Sequence, residues 1–144
     1  MKAAYLAAAA LTAISVPAMA KDHVVQMKNM GKAGAMVFEP AFVRAAPGDR
    51  IRYVPTDPSH NAETIPTMLP PGVASTKGGM NKEFVLTVTK PGLYGIKCQP
   101  HYSMGMVGLV QVGAGPSANL ASAKAAKLPP FAAKRMNPML AQAK

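Results

Sequence analysis

Cys98, His101, Met104 and Met106 fall within KCQPHYSMGM, the ten residues from Lys97 to Met106, in a 144-residue chain that has one cysteine and three histidines. A thiol, an imidazole and thioethers on one short segment suit a metal of intermediate softness. An ion that alternates between monovalent and divalent states is held by a compromise set, with one thiolate and two imidazoles in a plane and a weak thioether on the axis. Copper is the metal these donors favour. Cys98, His101 and a methionine supply three of them, and His60 in PSHN is the natural second imidazole. Spacing leaves both Met104 and Met106 open as the axial donor, because Gly105 allows a tight turn at either. Zinc is the rival, but its structural sites usually hold two or more thiolates and its catalytic sites several histidines or a carboxylate. Singly, a cysteine is most often a small buried hydrophobe and a methionine a gap filler. The joint pattern Cys-x-x-His-x-x-x-x-Met, with an upstream His-Asn, is what points to a metal.

Such donors need rigid elements to hold them. The loop joins two strand-like runs, GLYGIKC before it and VGLVQV after it, so it must turn tightly at the end of a sheet. His60 follows another run, RIRYV, in which Ile51 and Tyr53 share one face and Arg50 and Arg52 the other. EFVLTVT places Phe84, Leu86 and Val88 on one face. Turn signals at Pro47-Gly48-Asp49, Pro70-Pro71-Gly72, Gly78-Gly79 and Pro91-Gly92 separate these runs. Short strands with regular turns predict a sandwich or barrel from about Asp22 to Val112. After GAGP the composition turns to Ala and Lys. There Ser117 is expected to cap a helix over Ala118 to Lys127, and Pro129-Pro130 to open a second from Phe131, kinked or ended at Pro138.

Residues 1–20 read as a cleaved secretory leader. Lys2 gives a positive start, Ala3 to Val16 an apolar stretch, and Ala18-Met19-Ala20 a small-x-small cleavage site. No second apolar run of membrane-spanning length follows. The expected organisation is a leader over 1–20, a β-sandwich over 21–113 and a helical extension over 114–144 packed on the same domain. The net charge of +10 falls to +9 once Lys2 goes with the leader. The basic residues are dispersed rather than blocked, which favours acidic protein partners over nucleic acid. A single cysteine excludes an internal disulfide.

His60-Asn61, KCQPHYSMGMVGLV, GAMVFEP and LTVTKPGLY closely resemble the pseudoazurins, a family of small blue-copper cupredoxins. The resemblance implies an all-β fold, an eight-stranded Greek-key β-sandwich (cupredoxin-like) with two short C-terminal α-helices. It implies one copper ion cycling between Cu(I) and Cu(II), with His60, Cys98, His101 and Met106 as ligands. It also implies that Asn61 donates its main-chain N–H to the cysteine sulfur and ties the two loops together, and that Met36 stacks near the exposed histidine ring.

The expected function is therefore periplasmic electron transfer, with single electrons passed to acidic redox proteins, namely cytochromes and the nitrite reductases of denitrification. A copper delivery or storage protein is the alternative, distinguished by giving its metal away. With two histidines used, only His23 remains for a second metal, too few for a copper enzyme, and no general base adjoins the site. Pro100, which has no N–H to donate, is expected to tune the site. Met104 and Met36 around His101 suggest an apolar docking patch, and Lys28, Lys32, Lys77, Lys82 and Lys97 a positive rim for brief encounters of a monomer that binds neither nucleic acid nor membrane. A mature start at Lys21-Asp22-His23 would also present an amine, two amides and an imidazole for square-planar Cu(II), although His23 more simply begins a strand.

Overall fold

The computed structural model describes residues 19–144, so the expected leader lies outside the described residues except for its last two positions. Eight strands follow in order: β1 (Asp22–Gly31), β2 (Gly34–Glu39), β3 (Phe42–Ala45), β4 (Arg50–Pro55), β5 (Glu63–Thr64), β6 (Phe84–Thr87), β7 (Gly92–Lys97) and β8 (Val107–Val112). They form two four-stranded sheets, ordered β2-β1-β4-β6 and β3-β8-β7-β5. β1 runs parallel to β4 and β3 to β8, and the remaining pairs are antiparallel. This is the expected Greek-key sandwich.

Alternating side chains close it. Val25, Met27, Ile51, Tyr53 and Leu86 from one sheet meet Val43, Tyr94, Ile96, Val110 and Val112 from the other in one buried cluster, which also contains Cys98 and Met106. The loop that carries Cys98 and Met106 is thus anchored in the main core. Phe38 and Tyr53 meet edge to face, with ring centroids 5.3 Å apart.

The second sheet is covered on its outer side as well. Every residue of β8 is buried, because Val107 and Leu109 face a second cluster with Ile65, Met68 and Leu93. Helix α2 (Pro130–Gln142) supplies Ala132, Met136, Met139 and Leu140 to that cluster, the i, i+4, i+7, i+8 stripe of an amphipathic helix. Burying each large apolar side chain is worth roughly 1.5–3 kcal/mol. That outweighs the one main-chain bond lost at Pro138, so α2 runs through this residue instead of ending there. Pro138 is tolerated on the exposed face, where water can reach the unpaired carbonyl.

The first helix also departs from expectation. α1 is only Leu120–Ala125, and Ser117 does not cap it. The Ser117 hydroxyl instead donates to the Lys144 carbonyl at 2.6 Å. Asn119, which stands at the helix start, spends its side chain on Leu93 of β7, accepting from its N–H at 2.9 Å and donating to its carbonyl at 2.8 Å. No helix among the described residues is long and apolar enough to cross a membrane.

Candidate metal centre

Two loops meet at one end of the sandwich, and each delivers donors. His60 lies beyond β4, fully buried. Its loop is fixed by Asn81, which accepts the Ser59 N–H at 2.6 Å and gives its own N–H to the His60 carbonyl at 2.8 Å. The His60 Nε2 proton is donated to Asn29 Oδ1 at 2.8 Å. An amide oxygen can only accept, so the ring carries its proton on Nε2 and turns a bare Nδ1 lone pair inward. Burial first, and the neighbouring His101 ring second, hold the pKa of His60 below its ordinary value. The neutral form that ligates a metal is therefore the favoured one.

Cys98 follows β7 and is also fully buried. Its N–H donates to the Met106 carbonyl at 3.0 Å, and the Met106 N–H donates to the His101 carbonyl at 3.1 Å, so the loop is pinned at both ends. Burial pushes the thiol pKa up, while main-chain N–H groups of Asn61 and His101 on the sulfur pull it down. Gly105, at φ +90°, closes the turn in a left-handed conformation that a side chain would strain.

The donor atoms converge. His60 Nδ1 and His101 Nδ1 are 3.1 Å apart, and Cys98 Sγ lies 3.8 Å from the first and 3.5 Å from the second. A point about 2 Å from all three lies inside that triangle, close to the roughly 2.0–2.1 Å bond of an imidazole nitrogen to a small divalent ion. One thiol and two imidazoles, none aimed at an acidic partner, fit copper by softness as well as by size. Of the three, only His101 is partly exposed, so the centre has a single edge toward solvent.

Met106 and Met104, equivalent by spacing, are separated by the fold. Met106 is fully buried beside Cys98 in the main core, whereas Met104 is 50% exposed. Asn61 is buried; its Oδ1 accepts the Gln99 N–H at 2.8 Å, and its Nδ2 donates to Glu63 and to the Gly78 carbonyl, both at 3.2 Å. The His60 and Cys98 loops are thereby stitched together. Met36 sits half-buried at φ +51° against the core that contains Cys98 and Met106. Pro100 is exposed in the turn after Cys98.

Two supporting residues escaped the sequence reading. Asn29, an exposed strand residue, orients His60. Arg135 of α2 donates through Nη1 to the carbonyls of Met36 (2.6 Å) and Gly105 (3.1 Å), and through Nη2 to that of Ala35 (2.8 Å). Neither has a sequence signal, since both act on partners brought close only by the fold. The lysines are dispersed around the molecule. Lys97 and Lys77 both reach Glu63, at 3.2 and 3.6 Å, and Lys28 pairs with Glu39 at 3.2 Å. Lys32 and Lys82 are exposed.

His23 is not part of the centre. It meets Asp49 at 2.8 Å, and Asp22 and His23 lie in the ladder opposite Arg50 and Ile51. A square-planar site on their amides would dismantle the start of β1.

Known proteins are similar to this chain in sequence and fold. The sequence model of the copper binding proteins of the plastocyanin/azurin family matches residues 25–113. Pseudoazurin of Paracoccus pantotrophus is 60% identical over 136 residues, 94% of this chain and 93% of that protein. The crystal structure of pseudoazurin from Methylobacterium extorquens AM1 superposes with a TM-score of 0.81 at 46% identity, covering 84% of this chain and 98% of that one. Native pseudoazurin from Hyphomicrobium denitrificans gives a TM-score of 0.80 at 48% identity over 85% and 98% of the two chains.

Proposed function

The chain belongs to the pseudoazurins, blue-copper electron-transfer proteins of the plastocyanin/azurin family, and from that premise we propose a periplasmic shuttle whose copper ligands are His60, Cys98, His101 and Met106. It passes single electrons to acidic redox proteins, a nitrite reductase foremost. One observation carries the reading: a thiol and two inward-facing imidazole nitrogens converge in a pocket with one solvent-facing edge.

Copper bound there supplies a one-electron couple. The protein keeps the geometry constant through that exchange. Asn29, Asn61 and Arg135 fix the two donor loops, and the sandwich core beneath them resists movement. The groups around the donors hold them in place, and the role that fits this is carriage of an electron. Electrons leave by the His101 edge. The surface beside it is apolar, a shallow depression lined by Ala35, Ser103, Met104, Phe131 and Arg135, with Phe131 61% exposed. A small apolar contact of this kind forms and separates quickly.

The visible spectrum of the copper-loaded protein tests the proposal. An intense thiolate-to-Cu(II) band that bleaches with a mild reductant and returns on reoxidation, with the metal retained throughout, is the expected result. A colourless oxidised protein, or a thiol open to alkylation in that state, would sink it. Loss of copper to a chelator at each cycle would favour delivery over electron transfer.

A further inference from the structure

A buried carboxylate receives the residue that leads into the first strand. Asp49, in the turn between β3 and β4, is buried and held on both sides by its own main chain. Its N–H donates to Ala46 O at 3.0 Å, and its carbonyl accepts from Val88 at 3.0 Å. Its Oδ2 accepts the Ala46 N–H at 2.9 Å and meets His23 Nε2 at 2.8 Å. Its Oδ1 accepts one further donor, the main-chain N–H of Lys21, at 2.9 Å. The Lys21 carbonyl in turn accepts the Arg50 N–H at 2.9 Å, which fixes the Lys21 nitrogen over the carboxylate.

The residues just before this nitrogen are exposed, Met19 being 93% exposed, and Ala20 ends the small-x-small pattern. We propose that hydrolysis of the Ala20–Lys21 peptide bond by a secretory-leader peptidase turns the Lys21 N–H into an α-ammonium seated on Asp49, so that maturation itself clamps the first strand. Water supplies the atoms. Its hydroxyl joins the Ala20 carbonyl, which departs as the carboxylate end of the leader, and the freed Lys21 nitrogen takes up protons to become the ammonium; nothing is oxidised or reduced.

This inference rests on the reading of residues 1–20 as a leader that ends at Ala20. Its physical content is a change of bond type at an unchanged position. A neutral amide donating to a carboxylate becomes a full ion pair, a shorter and stronger contact, the more so when partly shielded from water. Asp49 is charged in readiness, since His23 first, then the N–H groups of Lys21 and Ala46, hold its carboxyl at about 2. The other charged groups nearby do not compete for it. Asp22 is engaged by Arg50 Nε at 2.6 Å and by Arg52 Nη1 at 3.9 Å, and His23 occupies the other carboxylate oxygen.

The full chain, exported with its leader and loaded with copper, provides the test. Intact mass locates the mature end, and the α-amine is titrated by NMR after isotopic methylation. A mass for residues 21–144 and an amine titrating at least about one unit above the ordinary range of about 7.7–8.0 are expected. The value should return to that range in Asp49→Asn and stay raised in His23→Gln. An ordinary value in the unsubstituted protein overturns the proposal whether or not Asp49→Asn folds. A mature end other than Lys21 overturns the leader reading together with it, and the mass alone distinguishes the two failures.

Discussion

A thiolate sulfur that already accepts main-chain N–H groups from Asn61 and His101 has its electron density partly spoken for. Each added donor withdraws more, which favours the reduced form. Pro100 stands where a further N–H is missing, in the exposed turn two residues after Cys98. Pro100→Ala is therefore expected to raise the reduction potential. A net hydrogen bond of about 0.5–1.5 kcal/mol corresponds to about 20–60 mV for one electron, readable by protein voltammetry. An unchanged or lowered midpoint would remove the donor argument. Asn29 acts on the other side of the centre by fixing the proton on His60 Nε2. Asn29→Ala frees the ring to rotate or change tautomer, and copper affinity should fall about 10–100-fold in a chelator competition. Affinity equal to that of the unsubstituted protein would mean that burial alone orients the ring.

Elements decide whether these residues keep their places. α2 is joined to the metal-binding end through one guanidinium, since Arg135 holds the carbonyls of Ala35, Met36 and Gly105 together. Arg135→Met keeps the aliphatic stem and removes three charge-assisted bonds, so it should cost about 2–3 kcal/mol in denaturant unfolding. It should also broaden the copper signals of His101, because Gly105 closes that loop. A loss confined to stability would limit Arg135 to helix docking. The first strand has its own anchor in Asp49, whose carboxyl is held at about 2 by His23 and by the N–H groups of Lys21 and Ala46. A depressed folded-state pKa gives stability that is full above the ordinary value of about 3.9 and is lost as the pH falls from about 4 toward about 2. Acid unfolding of Asp49→Asn should accordingly be flatter over that interval; identical acid limbs would contradict it. At this scale much was legible in advance. RIRYV and VGLVQV show their strands in period and apolarity, and Cys-x-x-His-x-x-x-x-Met shows its loop because all its donors lie within one turn. The helix boundaries were not legible. Ser117 looks like a cap but bonds Lys144, and Pro138 looks like a stop but lies on the wet face of a helix whose other face is buried. Spacing could not tell Met104 from Met106; the family resemblance picked Met106, and the burial that separates them is a property of the whole sandwich rather than of the loop.

Over the whole molecule the charges are lopsided in a way that the net value of +10 understates. The chain has six acidic residues, and each is engaged: Asp22, Glu39, Asp49, Glu63 and Glu83 meet basic side chains, and Asp57 accepts the Asn29 N–H at 2.7 Å. The charge left to project into solvent is almost wholly positive. Under the proposed function such a surface attracts an acidic partner, and the apolar ground around Met104 and Phe131 is the contact we propose. Association with an acidic redox partner should therefore be fast at low ionic strength and should fall by an order of magnitude or more, about 10-fold to 100-fold, as salt is raised past the roughly 10 Å screening regime at 0.1 M. Lys32 and Lys82 are exposed and stand in no ion pair among the described residues. Lys32→Glu with Lys82→Glu is expected to slow association several-fold and flatten its salt dependence, while the visible spectrum and the unfolding midpoint stay the same. Stopped-flow electron transfer over a salt series separates the possibilities. A rate indifferent to salt would show that contact, not field, governs the encounter, and a double variant with the original slope would move the steering charge to the lysines of the helical segment.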